Sequence, residues 1–317
     1  MSETYYSGYD SDRGRKPRRS LLLRLLDLLM TLLTAVTAVT MVVTFFVPYV
    51  DPGRVWFFPV LGLAAPAVYV VTVVLALYWI IRWRLVRAGI MVALVVVGLF
   101  KVSLFYRPEF RRNYGDERYD RRAFKVMTYN VRGFYGENGL SSVGDVLQLI
   151  GDHNPDIICL QEFELNKVNP RIRVDSLLGA WTHNAFFFTA GDGDPSGRGL
   201  AIYSKYRVFK RGGIHYPESN NASMWADIAI HRDTLRIYNN HLQTTQVNEQ
   251  DKAYWGTGQV LSDSTREERF RDILGKLGRN FKVRADQVDS VSQIIHDGTP
   301  RVVVCGDFND TPMSYTY

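Results

Sequence analysis

Apolar residues follow two regimes along this chain. In the first third they run almost unbroken. Leu28 to Val50 is 23 residues without a charge, Val55 to Ile81 is 27 interrupted only by Pro59 and Pro66, and Ala88 to Tyr106 contains one charge, Lys101. A helix needs about 20 mainly apolar residues to cross a hydrocarbon core of about 30 Å. Three transmembrane helices are therefore predicted, at about 28–50, 55–81 and 88–106, with Lys101 reaching the interface along its aliphatic stem. Run length argues against core helices of a soluble protein. A cleaved signal peptide fits poorly, because the runs are too long and too many.

From about residue 122 the pattern becomes short apolar runs separated by polar turns, as in a soluble α/β domain. Strands are predicted at Phe124–Tyr129, Asp156–Leu160, Ala185–Thr189, Leu200–Ser204, Met224–Ile230, Leu235–Asn240 and Val302–Cys305. The last is apolar at four successive positions, which reads as a strand buried on both faces. His231-Arg232-Asp233 fits a hairpin turn, and Pro217 to Asn221 an exposed polar loop. Ser141 or Ser142 can cap a helix whose Val143, Val146, Leu147 and Ile150 share a face. Two more helical patterns cover Ser264–Leu277 and Phe281–Ile295, and in the second Arg284 shares a face with Val288, Val291 and Ile295. Residues 190–199 are a Gly-rich loop without the Gly-Lys-Ser/Thr ending of a P-loop.

Charge separates the same two parts. Residues 1–106 carry 11 Lys+Arg against 5 Asp+Glu, whereas residues 107–317 carry 27 of each. The second part thus lacks the basic excess of a protein that grips nucleic acid chiefly by charge. Residues 1–20, with Arg13, Arg15, Lys16, Arg18 and Arg19, read as a disordered basic tail. Arg82, Arg84 and Arg87 lie between the second and third apolar runs. The positive-inside rule puts both basic stretches in the cytoplasm, and three crossings then place the remainder outside it. Arg107, Arg111, Arg112, Arg121 and Arg122, just after the third run, pull the other way, and if that run does not cross the remainder stays inside. Cys159 and Cys305 sit in apolar runs and read as small core residues, with no zinc-ligand spacing.

Several predicted strands deliver polar residues at or just beyond their ends: Asn130, Glu162, His241, and Asp307 with Asn309. Asp307 and Asn309 are two apart, so an extended chain can project both to one side. Each alone is ordinary, since Asp and Asn commonly follow strands as turn formers. Together they outline a site along one edge of a packed pair of sheets.

At this point the chain resembles the endonuclease/exonuclease/phosphatase family, which includes deoxyribonuclease I. The resemblance is carried by Met127-Thr128-Tyr129-Asn130-Val131, by Pro155 to Glu162 (Pro-Asp-Ile-Ile-Cys-Leu-Gln-Glu), by Gly199 to Ser204 (Gly-Leu-Ala-Ile-Tyr-Ser), by Asn239-Asn240-His241-Leu242 and by Gly306-Asp307-Phe308-Asn309-Asp310. It implies a four-layered α/β sandwich, two facing mixed sheets flanked by helices, over residues 122–317, joined by a linker at 107–121 to a membrane region at 21–106.

The resemblance also implies roles. Glu162 would ligate a divalent cation, Mg²⁺ or alternatively Mn²⁺, with Asn130 helping to place metal or phosphate. His241 and Asn309 would contact the scissile phosphate, and Asp307 would orient or activate the attacking water. The expected activity is metal-dependent hydrolysis of a phosphate ester, as a phosphodiesterase or nuclease held at a membrane. Alternatives are a phosphatase or phospholipase acting on lipid or inositol phosphates, and a catalytically inactive binding module. One departure stands out. Family members continue to a Ser-Asp-His type motif that supplies a general base, and none of the six histidines (153, 183, 215, 231, 241, 296) follows Asn309. The expectation is that the sequence lacks roughly 50 C-terminal residues of an ordinary domain, and that this chain is an impaired catalyst without them.

Overall fold

The computed structural model describes residues 21–105, 123–164, 179, 181–189, 197–217, 219–245, 263–296 and 301–317. The expected tail and linker lie outside these residues. The chain divides into two units, one of residues 1–42 with 66–98 and one of residues 43–65 with 99–317.

Three helices open the described chain: α1 (Leu21–Phe46), α2 (Phe58–Ile81) and α3 (Leu85–Phe105). In the first unit, Leu75, Ala76, Trp79, Ala88 and Met91 form a small core, and the Trp79 indole donates to Thr34 Oγ1 at 2.7 Å. Asp27 accepts both terminal contacts of Arg82, at 2.8 and 3.0 Å, and a hydrogen bond from Tyr78 at 3.1 Å. Among the described residues two helical segments, Leu21–Tyr49 and Phe58–Ile81, are long and apolar enough to cross a membrane, rather than the three expected. By the same measure the first would also pass as a signal sequence near the N-terminus. The third run does form a helix, α3, but Arg87 and Lys101 bracket its uncharged stretch, 88–100. At 1.5 Å per residue that stretch is about 20 Å long, well short of the hydrocarbon core.

The second unit holds two four-stranded sheets. The first, in the order β1-β2-β4-β3, comprises β1 (Val126–Asn130), β2 (Ile157–Glu164), β3 (His183–Phe188) and β4 (Arg198–Ser204). The second runs in sequence order through β5 (Val208–His215), β6 (Ala222–Ile230), β7 (Asp233–His241) and β8 (Val302–Asp307). Both are mixed: β1–β2 and β7–β8 pair parallel and the remaining pairs antiparallel. Two-residue alternation assigns each face. On β2, Ile157 and Cys159 join the core between the sheets, while Ile158 and Leu160 face α4 (Val143–His153) and its Val143, Val146 and Ile150. On β4, Leu200 and Ile202 turn inward, and Ala201 and Tyr203 outward. A 34-residue helix, α5 (Asp263–His296), covers the second sheet and completes the four-layered sandwich. Each such side chain stabilises the fold by about 1.5–3 kcal/mol relative to exposure.

One polar residue pins the two sheets together inside this core. Asn239 of β7 accepts from the Gln161 side chain at 2.6 Å and donates to the carbonyls of Leu160 and Ala201 at 2.9 and 3.1 Å. Sliding one sheet over the other would break all three bonds at once.

Four expectations need correction. β5 was not predicted, because Lys210-Arg211-Gly212-Gly213 looks like loop; the glycines admit the Trp225 and Phe187 rings against the backbone. The two helical patterns after residue 263 are one helix, because Ile273, Leu277, Phe281 and Arg284 keep a single buried face across Gly275 and Gly278. Val302–Cys305 is not buried on both faces: β8 pairs only with β7 among the described residues, and Val304 is 40 % exposed. Pro217–Asn221 is not simply an exposed loop, since Asn221 is buried and Ser219 hydrogen-bonds Gln243 at 3.1 Å.

Candidate active site

Asn130 ends β1 on one sheet, and Asp307 ends β8 on the other. The Asn130 amide nitrogen donates to Glu162 Oε1 and to Asp307 Oδ2, each at 2.9 Å, so it ties the two carboxylates into one cluster. Its own oxygen accepts from the Arg132 backbone N–H at 2.9 Å, which fixes the orientation of the amide. Glu162 lies where the β2–β4 register shifts, with a left-handed φ of 49°. That bulge interrupts alternation and turns the carboxylate out of the strand face. A non-glycine residue there costs about 1–2 kcal/mol.

His241 closes the cluster, with Nε2 3.6 Å from Glu162 Oε1. Burial pushes its imidazole below the ordinary histidine value, against the upward pull of Glu162 and Asp307 and with a smaller downward push from Arg198. The ring is therefore a neutral hydrogen-bonding group at neutral pH. Asn309 has a left-handed φ of 51°; its backbone N–H donates to Asp307 Oδ1 at 3.0 Å and its side chain to the Leu242 carbonyl at 2.9 Å. Gly306, at φ 139°, permits this approach, because a Cβ there would run into the Asn240 backbone.

All five residues singled out from sequence thus fall in one neighbourhood. Sequence reasoning missed others. Arg198, assigned to a loop, begins β4, with contacts of 3.4 Å to Glu162 and 3.7 Å to Glu164. Its side chain is 49 % exposed, so these contacts are weak and the guanidinium can meet an anion. Ser219, Asn221 and Gln243 join Glu162, Arg198 and His241 in lining a polar cleft of about 290 Å³. No spacing in the sequence marks them; the only signal is their position just before β6 and just after β7.

Among the described residues no group of three or more His, Cys, Asp or Glu side chains forms a metal cage. The donors present are hard oxygens, the Glu162 and Asp307 carboxylates, held together by one amide. That set fits Mg²⁺ or Mn²⁺ bound through one or two carboxylates with waters retained.

The sequence model of the endonuclease/exonuclease/phosphatase family matches residues 127–317, and that of a domain of unknown function, DUF8431, matches residues 27–105. No curated protein matches the chain. Similar solved structures include a humanized D. rerio TDP2, at 18% identity and TM-score 0.38, covering 59% of this chain and 62% of that one. An endonuclease/exonuclease/phosphatase from Beutenbergia cavernae shares 17% identity at TM-score 0.40, covering 62% and 51%. The human Nocturnin catalytic domain with bound sulfate shares 18% at TM-score 0.39, covering 61% and 67%. The chain spans less than two thirds of the length of the first two.

Proposed function

Since the chain belongs to the endonuclease/exonuclease/phosphatase family, we propose that residues 122–317 hydrolyse phosphate esters with a divalent cation, Mg²⁺ or Mn²⁺. The supporting observation is the Asn130 amide, which bonds Glu162 and Asp307 at 2.9 Å each although Asn130 and Asp307 are 177 positions apart. Glu162 is the proposed metal ligand, with Asn130 placing the metal through the carboxylates it bridges. When bound, the cation would neutralise charge on the phosphate and on the leaving oxygen. Asp307, held by the Asn309 backbone amide, orients the attacking water and draws off its proton. His241, neutral in its buried setting, and the second amide hydrogen of Asn309 donate to phosphate oxygens as charge builds on them. Arg198 supplies a positive charge at the mouth of the cleft.

The test is turnover of bis(p-nitrophenyl) phosphate by the complete protein, with Mg²⁺, with Mn²⁺ and with chelator. Glu162→Ala should abolish metal-dependent turnover while leaving the unfolding temperature within a few degrees of wild type. Undiminished hydrolysis in that variant would overturn the site, and no hydrolysis by wild type under any condition would favour an inactive binding module. A panel of DNA, RNA, sphingomyelin and phosphoinositides then separates nuclease from lipid- or inositol-phosphate hydrolase. The two apolar helical segments favour keeping the lipid reading, because they would hold the cleft near headgroups.

Membrane attachment and sidedness belong to the same proposal. Residues 47–57 connect α1 to α2, and nearby Val60 packs on Ile273, Leu277 and Phe281 of α5 while Gly278 faces the Trp56 ring. Two crossings, by α1 and α2, would return the chain to the side of the basic tail, which the positive-inside rule keeps cytoplasmic, so a catalytic part on the opposite side requires α3 to cross as well.

A further inference from the structure

We infer that Arg284 is a positioning residue that clamps the His241 segment and the Asp307–Asn309 segment into catalytic register through Gln243 and Asp310; this rests on the phosphoesterase reading above. Arg284 lies on the core face of α5 with no exposed side-chain surface. Its Nε donates to the Gln243 carbonyl at 2.7 Å, and its Nη1 lies 2.9 Å from Asp310 Oδ2. Gln243 is two residues after His241, and Asp310 directly follows Asn309. One guanidinium therefore touches both segments that carry the site.

The surrounding bonds act in the same direction. The Leu242 N–H donates to the Asp307 carbonyl at 3.0 Å, and the Asn309 side chain returns a bond to the Leu242 carbonyl at 2.9 Å. From α5, Gln287 accepts the Gln243 N–H at 2.8 Å and Asn280 accepts the Gln243 side-chain amide at 3.0 Å. Asp310 is itself oriented by the Thr311 N–H at 2.8 Å and the Thr316 hydroxyl at 2.7 Å. Helix burial alone would be met by leucine or methionine at 284, as by Phe281 and Val291 on the same face. A buried ion pair is often no more stabilising than such apolar replacements. What the arginine adds is a buried guanidinium that hydrogen-bonds the Gln243 carbonyl through Nε while its charge pairs with Asp310 through Nη1, a combination lysine cannot copy.

The test compares Arg284→Met and Asp310→Asn in the full chain with Arg236→Met and Asp227→Asn. The second pair is half-buried at Arg236 and buried at Asp227, with bonds of 2.6 and 2.9 Å, but Arg236 lies five residues before His241 on β7 and touches none of the site. Displacing reacting groups by about 1 Å costs up to about 100-fold in rate. With bis(p-nitrophenyl) phosphate and Mn²⁺, Arg284→Met and Asp310→Asn should lower kcat about 10- to 100-fold with KM changed less than about twofold. The double variant should lose little more than either single one. The Arg236 and Asp227 variants should lower the unfolding temperature without lowering kcat. Should Arg284→Met fail to fold, Arg284→Lys is compared, and it should fall short of wild-type kcat. Hydrogen exchange gives a readout that needs no turnover: peptides covering 240–244 and 306–311 should exchange faster in Arg284→Met and unchanged in Arg236→Met. If wild type hydrolyses nothing, the functional reading fails and the exchange comparison alone decides the clamp. Unaltered exchange in both peptides, or equal kcat loss in both variant pairs, would overturn it.

Discussion

At position 162 the backbone and the side chain make opposite demands. The left-handed φ of 49° suits glycine, while the cluster needs a carboxylate there. Strain of this kind persists where the surroundings over-determine it, commonly at functional sites. Glu162→Gly and Glu162→Ala remove the same carboxylate, yet only alanine keeps the strained Cβ. The glycine variant should be the more stable by about 1 kcal/mol in denaturant unfolding, with both inactive. Equal stability would mean that the bulge relaxes without cost. Asn239 offers the opposite case, a polar residue required by the fold. Asn239→Ala removes three buried hydrogen bonds at once, although the Gln161 amide keeps Thr128, and should cost at least about 2 kcal/mol. Arg284 shows how such residues can be noticed early: a lone charge on an apolar helical face was legible in the sequence, although its partner Asp310 was not.

Elements were legible where an apolar run and a polar end coincide. β1, β7 and β8 end in residues chosen from sequence alone, and β2 carries Glu162 two positions before its end, because alternation and run length are local properties. β5 escaped because its side chains at 209–211 are exposed and its glycines serve rings from other strands, which is a tertiary reason. The exposed face of β8 escaped because four valine-like positions cannot reveal whether a neighbouring strand follows. Within β8, Gly306 bears most directly on function, since it sits opposite Asn240 in the parallel ladder. Gly306→Ala forces a Cβ into that backbone and an unfavourable φ together, so the end of the ladder must open and carry Asp307 away. We expect a loss of more than about 2 kcal/mol in stability together with loss of turnover. A fully active Gly306→Ala protein would show that the close β7–β8 approach is dispensable.

For the molecule as a whole, sidedness is the property most open to a direct measurement. Arg232 is exposed in the turn between β6 and β7, whereas Cys159 is buried and Cys305 half-buried. If α3 completes a third crossing, cysteine introduced as Arg232→Cys should react with a membrane-impermeant maleimide in intact cells, with little background from the native thiols. Any outer membrane is permeabilised first. Labelling that appears only after lysis would place the catalytic part with the basic tail. The division of the site between two sheets has a consequence for the chain in transit. Glu162 is contributed by one sheet, His241 and Asp307 by the other, and 145 positions separate Glu162 from Asp307. A nascent polypeptide therefore carries no assembled carboxylate pair, and the proposed chemistry waits until both sheets have met.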